Sequence, residues 1–115
     1  MSIPPADTQK LIKRLGAQTP PQLDAMVALM TEESYEQAWF DADHQAGNGS
    51  LFPADLDEVV TALAAATGEH EICSFVADDL TLLHRAAVAG LEDDPFIAAL
   101  AAAYAKGLCG ADVTL

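Results

Sequence analysis

Apolar side chains recur at helical spacing along nearly the whole chain, and one stretch interrupts this pattern for longer than any other. The spacing i, i+3, i+4, i+7 is typical of the buried face of a helix, and its clearest example consists of Leu23, Met26, Val27 and Met30. The interruption is residues 41–55, DADHQAGNGSLFPAD, which combine three acidic side chains with two glycines. This pattern predicts a helical protein with one long connection near the middle of the chain.

Start and stop signals divide the rest of the chain into short helices. Thr19, Pro20 and Gln22 have the residue types and the spacing of an N-cap, a first-turn proline and a capping-box glutamine. Glycine is a common helix terminator, and four helices are predicted to end at Gly16, Gly68, Gly90 and Gly107. A low content of β-branched and aromatic residues argues against a sheet protein. We therefore predict an all-α fold, a single compact domain of about five to six short helices over residues 1–115, although residues 72–76 alone could form a strand.

The two ends of the chain are predicted to be peripheral. Residues 1–18 contain a short helix, capped by Asp7, that we expect to dock loosely, and residues 109–115 are expected to form a surface tail. Thr31 is expected to cap the helix that leads into residues 41–55.

The charge is strongly negative and unevenly distributed. The formal net charge is −13, of which residues 1–18 contribute +2 and residues 19–115 contribute −15. A body this acidic repels phosphate, which argues against nucleic-acid binding. It attracts basic protein surfaces and speeds their encounter, so we expect a basic protein partner.

Targeting signals and catalytic motifs are missing from the sequence. We see no secretion signal, no apolar run of membrane-spanning length, and only two cysteines. These features favour a cytoplasmic protein with reduced thiols and no membrane association. Because no nucleophile motif or phosphate-binding glycine loop occurs, we expect a protein that is not an enzyme.

Residues 41–55 resemble an EF-hand calcium loop. Calcium takes about six to eight oxygen ligands, and the ligands that the resemblance implies are Asp41, Asp43, Asn48, Ser50 and Asp55. The sequence departs from that family in a three-residue insertion at 44–46 and in an aspartate where the family has its final glutamate. The alternative is an acidic connector whose glycines permit positive φ. Accordingly we expect no cofactor, with calcium as the alternative.

Residues 75–107 resemble the C-terminal part of small acidic bacterial immunity-type proteins. The shared features are Asp-Asp-Leu entering an apolar helix, a later Asp-Pro-Phe-Ile, and a final helix that closes on Tyr and Gly. The resemblance implies a cytosolic protein that binds and blocks a toxin made by the same cell. The partner-binding residues that it suggests are Asp78, Asp79, Glu92, Asp93 and Asp94, with Tyr104 as an aromatic anchor. The alternative for each acid is a solvated position at a helix end.

Three hypotheses for function follow from these observations. The first is a non-enzymatic interaction protein, an immunity-type inhibitor of a cognate toxin. The second is a calcium-responsive helical domain. The third is an assembly domain that forms a homodimer through its alanine-rich last helix.

Overall fold

A computed structural model of the chain describes residues 3–47 and 52–114, and the regular structure in these ranges is entirely helical. It comprises α1 (Thr8–Gly16), α2 (Pro20–Met30), α3 (Glu33–Ala46), α4 (Leu56–Thr67), α5 (His70–Ala89), α6 (Pro95–Ala105) and a 3-10 helix (Gly110–Asp112). The predicted all-α class is confirmed, and residues 72–76 are helical. None of these helices combines the length and the hydropathy that a membrane span needs.

The helix starts that carry strong sequence signals form as predicted. The Thr19 hydroxyl accepts from the Gln22 backbone N–H at 3.4 Å, and the Gln22 side chain accepts from the Thr19 N–H at 2.7 Å. The Asp94 carboxylate accepts from the backbone N–H groups of Phe96 and Ile97 at 3.0 and 3.1 Å. These caps satisfy amides that would otherwise lack partners in the first turn of a helix.

Both predictions about the limits of α3 are wrong. The Thr31 hydroxyl donates to the carbonyl of Ala28 at 3.0 Å, so Thr31 closes α2 instead of capping α3. The helix also continues through residues 41–46, which shortens the predicted connection. It ends at Gly47, whose φ of 82° is a conformation that glycine adopts without steric cost.

α5 is the central element of the fold, because it packs against α2, α3, α4 and α6. Its completely buried apolar side chains are Ile72, Val76, Leu82 and Ala86. Burial of each larger aliphatic side chain contributes about 1.5–3 kcal/mol. Both α3 and α6 pack against α5, and they also contact each other.

α1 is an integral part of the core, which corrects the prediction of loose docking. Leu11 and Leu15 are both 0% exposed, and α1 packs against α4. The backbone N–H of Asp7 donates to the carbonyl of Tyr104 at 2.9 Å, so the residue before α1 is attached to α6. The basic residues of α1 lie on its outer side, so the opposite, apolar face of the helix can be buried.

The C-terminal segment is also docked, and it is not a surface tail. Cys109 is fully buried, and burial raises the pKa of its thiol to about 12. The Arg14 guanidinium donates to both carboxylate oxygens of Asp112 at 2.8 Å. This bidentate pair fastens the 3-10 helix to α1.

The apolar face of α6 is covered by its own chain. Its buried residues are Phe96, Ile97, Leu100, Ala101, Ala103 and Tyr104. Among its alanines, Ala98 and Ala102 are exposed. Because the larger apolar side chains of α6 already lie in the core, this helix offers little surface for the dimer contact hypothesised above.

Candidate functional site

A buried carboxylate joins α5 to α3 and α6. The side chain of Asp79 is 1% exposed. Its Oδ1 accepts from the Tyr35 hydroxyl at 2.9 Å and from the Trp39 indole Nε1–H at 3.0 Å. Its Oδ2 accepts from the Tyr104 hydroxyl at 2.6 Å and lies 3.1 Å from that of Tyr35. Three aromatic donors on two neighbouring helices therefore converge on one acidic side chain.

Burial dominates the acid–base properties of this cluster. Removal from water raises the pKa of Asp79 to about 7, although the hydrogen bonds from Tyr104, Tyr35 and Trp39 act in the opposite direction. Burial and the neighbouring Asp79 carboxylate raise the pKa of both tyrosines, so these hydroxyls stay protonated. In the part of the chain that the structure describes, no fully buried side-chain nitrogen or oxygen lacks a hydrogen-bond partner.

Asp79 and Tyr104, both predicted above to contact a partner, belong instead to the core. Their side chains are 1% and 0% exposed, so this structure leaves them no partner-facing surface. The register of Asp79 within the helix indicates that it is buried, and the prediction of a partner contact overlooked this. Asp79 lies three residues after Val76 and four before Leu83, which places it in the apolar stripe of α5. Tyr35 and Trp39, which were not predicted as site residues, are the other members of the cluster.

A shallow groove of about 140 Å³ lies over this cluster, between α3 and α5. We call it the α3–α5 groove, and its exposed and half-buried lining residues are Glu36, Trp39, Phe40, Phe75 and Asp78. Met30, Tyr35 and Asp79, which are buried, also line it. The Phe40 side chain is 60% exposed, and it is the one among the exposed large apolar side chains of the described residues that lines this groove. Exposed apolar surface next to charged groups commonly marks a protein-interaction site.

The groove is acidic at its edges. Glu36 and Asp78 are both exposed, and none of the described residues that line the groove is basic. Burial and the nearby Asp43 carboxylate raise the pKa of Asp78. Asp43 itself pairs with Arg85, whose guanidinium also donates to the Gly47 carbonyl at 2.7 Å. The guanidinium of Arg85, on the same helix as Asp78, is thus engaged at the end of α3.

The second acidic cluster predicted for partner binding lies elsewhere along the chain. Asp93 is exposed, Glu92 is half-buried, and the Asp94 carboxylate caps α6. These residues follow the C-terminus of α5, whose last residue is about 17 Å along the helix from Asp78 at a rise of about 1.5 Å per residue. The structure therefore does not place them in the groove.

Those residues predicted to bind calcium that the structure describes do not converge on a common site. Asp41 and Asp43 lie on α3, where positions two residues apart do not face each other. The Asp41 carboxylate accepts from the Gln37 side chain at 3.0 Å, whereas Asp43 pairs with Arg85. Asp55 is the exposed residue before α4, and the predicted ligands Asn48 and Ser50 lie outside the described residues. Within residues 3–47 and 52–114, no three His, Cys, Asp or Glu side chains are grouped closely enough to hold a metal ion.

Gly110 lies where the backbone of the 3-10 helix touches the buried cluster. A Cβ atom added there would overlap the Tyr35 hydroxyl oxygen and would lie 2.8 Å from Asp79 Oδ2. We expect Gly110→Ala to lower the free energy of unfolding by about 1–3 kcal/mol, as is typical of overpacked cores. Urea unfolding measures this loss. In a Tyr35→Phe background, Gly110→Ala should lower the free energy of unfolding by less, because the hydroxyl oxygen closest to the new Cβ is gone. If the effects of the two substitutions on the free energy of unfolding simply add, the contact between these residues is refuted.

The cluster also predicts how stability depends on pH. Because the pKa of Asp79 rises from 3.8 in the unfolded chain to about 7 in the folded one, the folded state binds more protons between these values. The contribution of protonated Asp79 to the free energy of unfolding is fully present below about pH 4. It is lost as the pH rises through 7. Relative to Asp79→Asn, the wild-type chain should lose on the order of 2–4 kcal/mol across this window.

Urea unfolding of both proteins from pH 4 to pH 8 tests this prediction. Asparagine is a suitable reference, because its oxygen can accept from Tyr35 and Trp39 while its N–H₂ donates to the Tyr104 hydroxyl. Parallel stability curves for the two proteins would show that Asp79 does not titrate in this range.

Comparison with known protein families identifies a match over most of the chain. A protein-family model described as Immunity protein PIM1 matches residues 7–109 of the chain. No curated protein and no solved structure matches the chain significantly. The matched residues include all six α-helices and every residue that lines the α3–α5 groove.

Proposed function

The chain belongs to the family of Immunity protein PIM1, and on this premise we propose that it binds a toxic protein in the cytoplasm and neutralises it through the α3–α5 groove. Binding of this kind needs no catalytic group and no cofactor. The single observation that carries the choice of site is an exposed aromatic centre flanked by two carboxylates, with no basic residue among those that line the groove. The partner is a basic protein.

Charge supports a basic partner. The net charge of −13 gives the whole chain a negative potential, which raises the rate at which a positive surface is encountered. The potential steers the partner but does not specify where it docks. Docking requires apolar surface that loses its contact with water, and the groove supplies it at Phe40 and Phe75.

The buried cluster supports this role by holding the groove in one shape. Trp39 forms part of the groove wall, and its indole N–H is fixed by Asp79 on the facing helix. Tyr35 ties the start of α3 to the same carboxylate. A binding surface held rigid before association loses less conformational entropy when the partner docks.

A growth assay tests the proposal. The product of the gene next to the one that encodes this chain is expressed from an inducible promoter in a bacterial host, with and without the chain. We expect the product to stop growth alone and growth to recover when the chain is present. Phe40→Ala should reduce recovery, whereas Phe52→Ala, at a matched exposure of 61%, should not.

Two results would contradict the proposal. One is a neighbouring product that is harmless when expressed alone. The other is a toxic product that the chain fails to neutralise although both proteins accumulate. Recovery that is equally complete with Phe40→Ala and Phe52→Ala would support neutralisation and reject the groove as its site.

A further inference from the structure

We propose that the α3–α5 groove receives an arginine side chain of the partner, stacked on its aromatic rings and paired with the carboxylates of Glu36 and Asp78. This inference rests on the proposed function and names the chemical group that the groove recognises. It follows from the size of the groove, its aromatic surface and the position of its acids.

The size of the groove indicates one side chain as its occupant. Small-molecule sites commonly have volumes of about 300–1,000 Å³, whereas the groove has about 140 Å³. It is also open to solvent and not an enclosed cavity, so a side chain projecting from another protein can enter without a conformational change.

The aromatic residues favour a flat cation. Trp39 and Phe40 meet edge to face, with ring centroids 5.6 Å apart and planes at 83°, and Phe75 lies across the groove on α5. Cations bind over the faces of such rings, and tryptophan is the strongest partner. Because the Trp39 N–H donates to the Asp79 carboxylate, the indole gains electron density and its face attracts a cation more strongly.

The carboxylates favour guanidinium over ammonium. Glu36 on α3 and Asp78 on α5 lie at the edges of the groove, where a planar fork of N–H donors can bond to carboxylate oxygens while its face lies on a ring. Guanidinium is also more weakly hydrated than ammonium, so it leaves water at a lower cost. Asp78 is partly desolvated and lies near Asp43, so a cation there would relieve the repulsion between these two acids.

An NMR titration of the full chain tests the inference, with N-acetyl-arginine amide as the probe. We expect shifts concentrated at the Trp39 indole N–H and at the amides of Phe40 and Asp78. N-acetyl-lysine amide should bind about threefold more weakly or worse, and the neutral citrulline analogue should produce no shift at these positions. Asp78→Asn should weaken arginine binding by about fivefold or more, whereas Asp93→Asn should leave it unchanged.

Shifts spread evenly over the acidic surface, or equal shifts with citrulline, would overturn the inference. So would an unchanged titration of Asp78→Asn. The arginine inference and the proposed function can fail independently of each other. Growth protection without arginine binding would refute the inference alone, and arginine binding without protection would refute the function alone.

Discussion

Replacing Asp79 by alanine is expected to lower the free energy of unfolding by about 3–5 kcal/mol at neutral pH. The change leaves the N–H of Trp39 and the hydroxyls of Tyr35 and Tyr104 without their acceptor. Each buried donor that loses its partner costs about 1–3 kcal/mol, and relief from burying a charge offsets part of the sum. Domains of this size are stable by about 5–15 kcal/mol, so the loss is a large fraction of the total stability.

The adjacent acid provides the control for this prediction. Asp78→Ala changes the same residue type at the next position of α5, but Asp78 is exposed, so its loss should cost less than about 0.5 kcal/mol. Urea unfolding of the two variants and of Asp79→Asn separates lost hydrogen bonds from lost charge. Equal stabilities of Asp78→Ala and Asp79→Ala would show that the buried cluster does not hold the three helices together.

Reversing the charge of the groove is expected to abolish neutralisation. Glu36→Lys combined with Asp78→Lys places two cations beside the aromatic centre, where the partner's cation is proposed to bind. We expect the dissociation constant for the toxic product to rise by about 100-fold or more, because like charges at an interface cost several kcal/mol. Titration calorimetry with the purified product measures this change, and growth protection should be lost with it.

Two variants of identical net charge serve as controls for the reversal. Glu92→Lys with Asp93→Lys alters the second acidic cluster, and Asp24→Lys with Glu58→Lys alters exposed acids outside both. Both controls should bind with dissociation constants within about tenfold of the wild-type value, because they change only the long-range potential. Greater loss in the first control than in the groove variant would place the interface at residues 92–94.

Much of the fold was predictable, because its signals are local. The capping residues Thr19 and Asp94 form hydrogen bonds that involve neighbours within three positions, so short-range spacing contains the information. The family resemblance noted in residues 75–107 is confirmed and extends over residues 7–109. Docking of the chain ends could not be predicted in this way. It depends on partners distant in sequence, such as Arg14 and Asp112.

The candidate site was only partly predictable for the same reason. Asp78 and Asp79 are chemically identical neighbours, yet Asp78 lies at the edge of the groove and Asp79 lies beneath it. Helix register separates them, but only once the buried face of α5 is known. Tyr35 and Trp39 join the cluster across 44 and 40 positions of sequence, and no local pattern connects residues so far apart. The two acidic runs look equivalent in sequence, and only the fold shows that one adjoins exposed aromatic rings.

Hydroxyl-radical footprinting of the complex shows whether the partner docks on the α3–α5 groove, because it reports which aromatic side chains the partner covers. Phe40 and Phe52 are 60% and 61% exposed in the free chain, so radicals should oxidise both. When the toxic product is bound, oxidation of Phe40 is expected to fall severalfold while that of Phe52 stays unchanged. Full oxidation of Phe40 in a saturated complex would place the partner on another face of the protein and exclude the α3–α5 groove as its docking site.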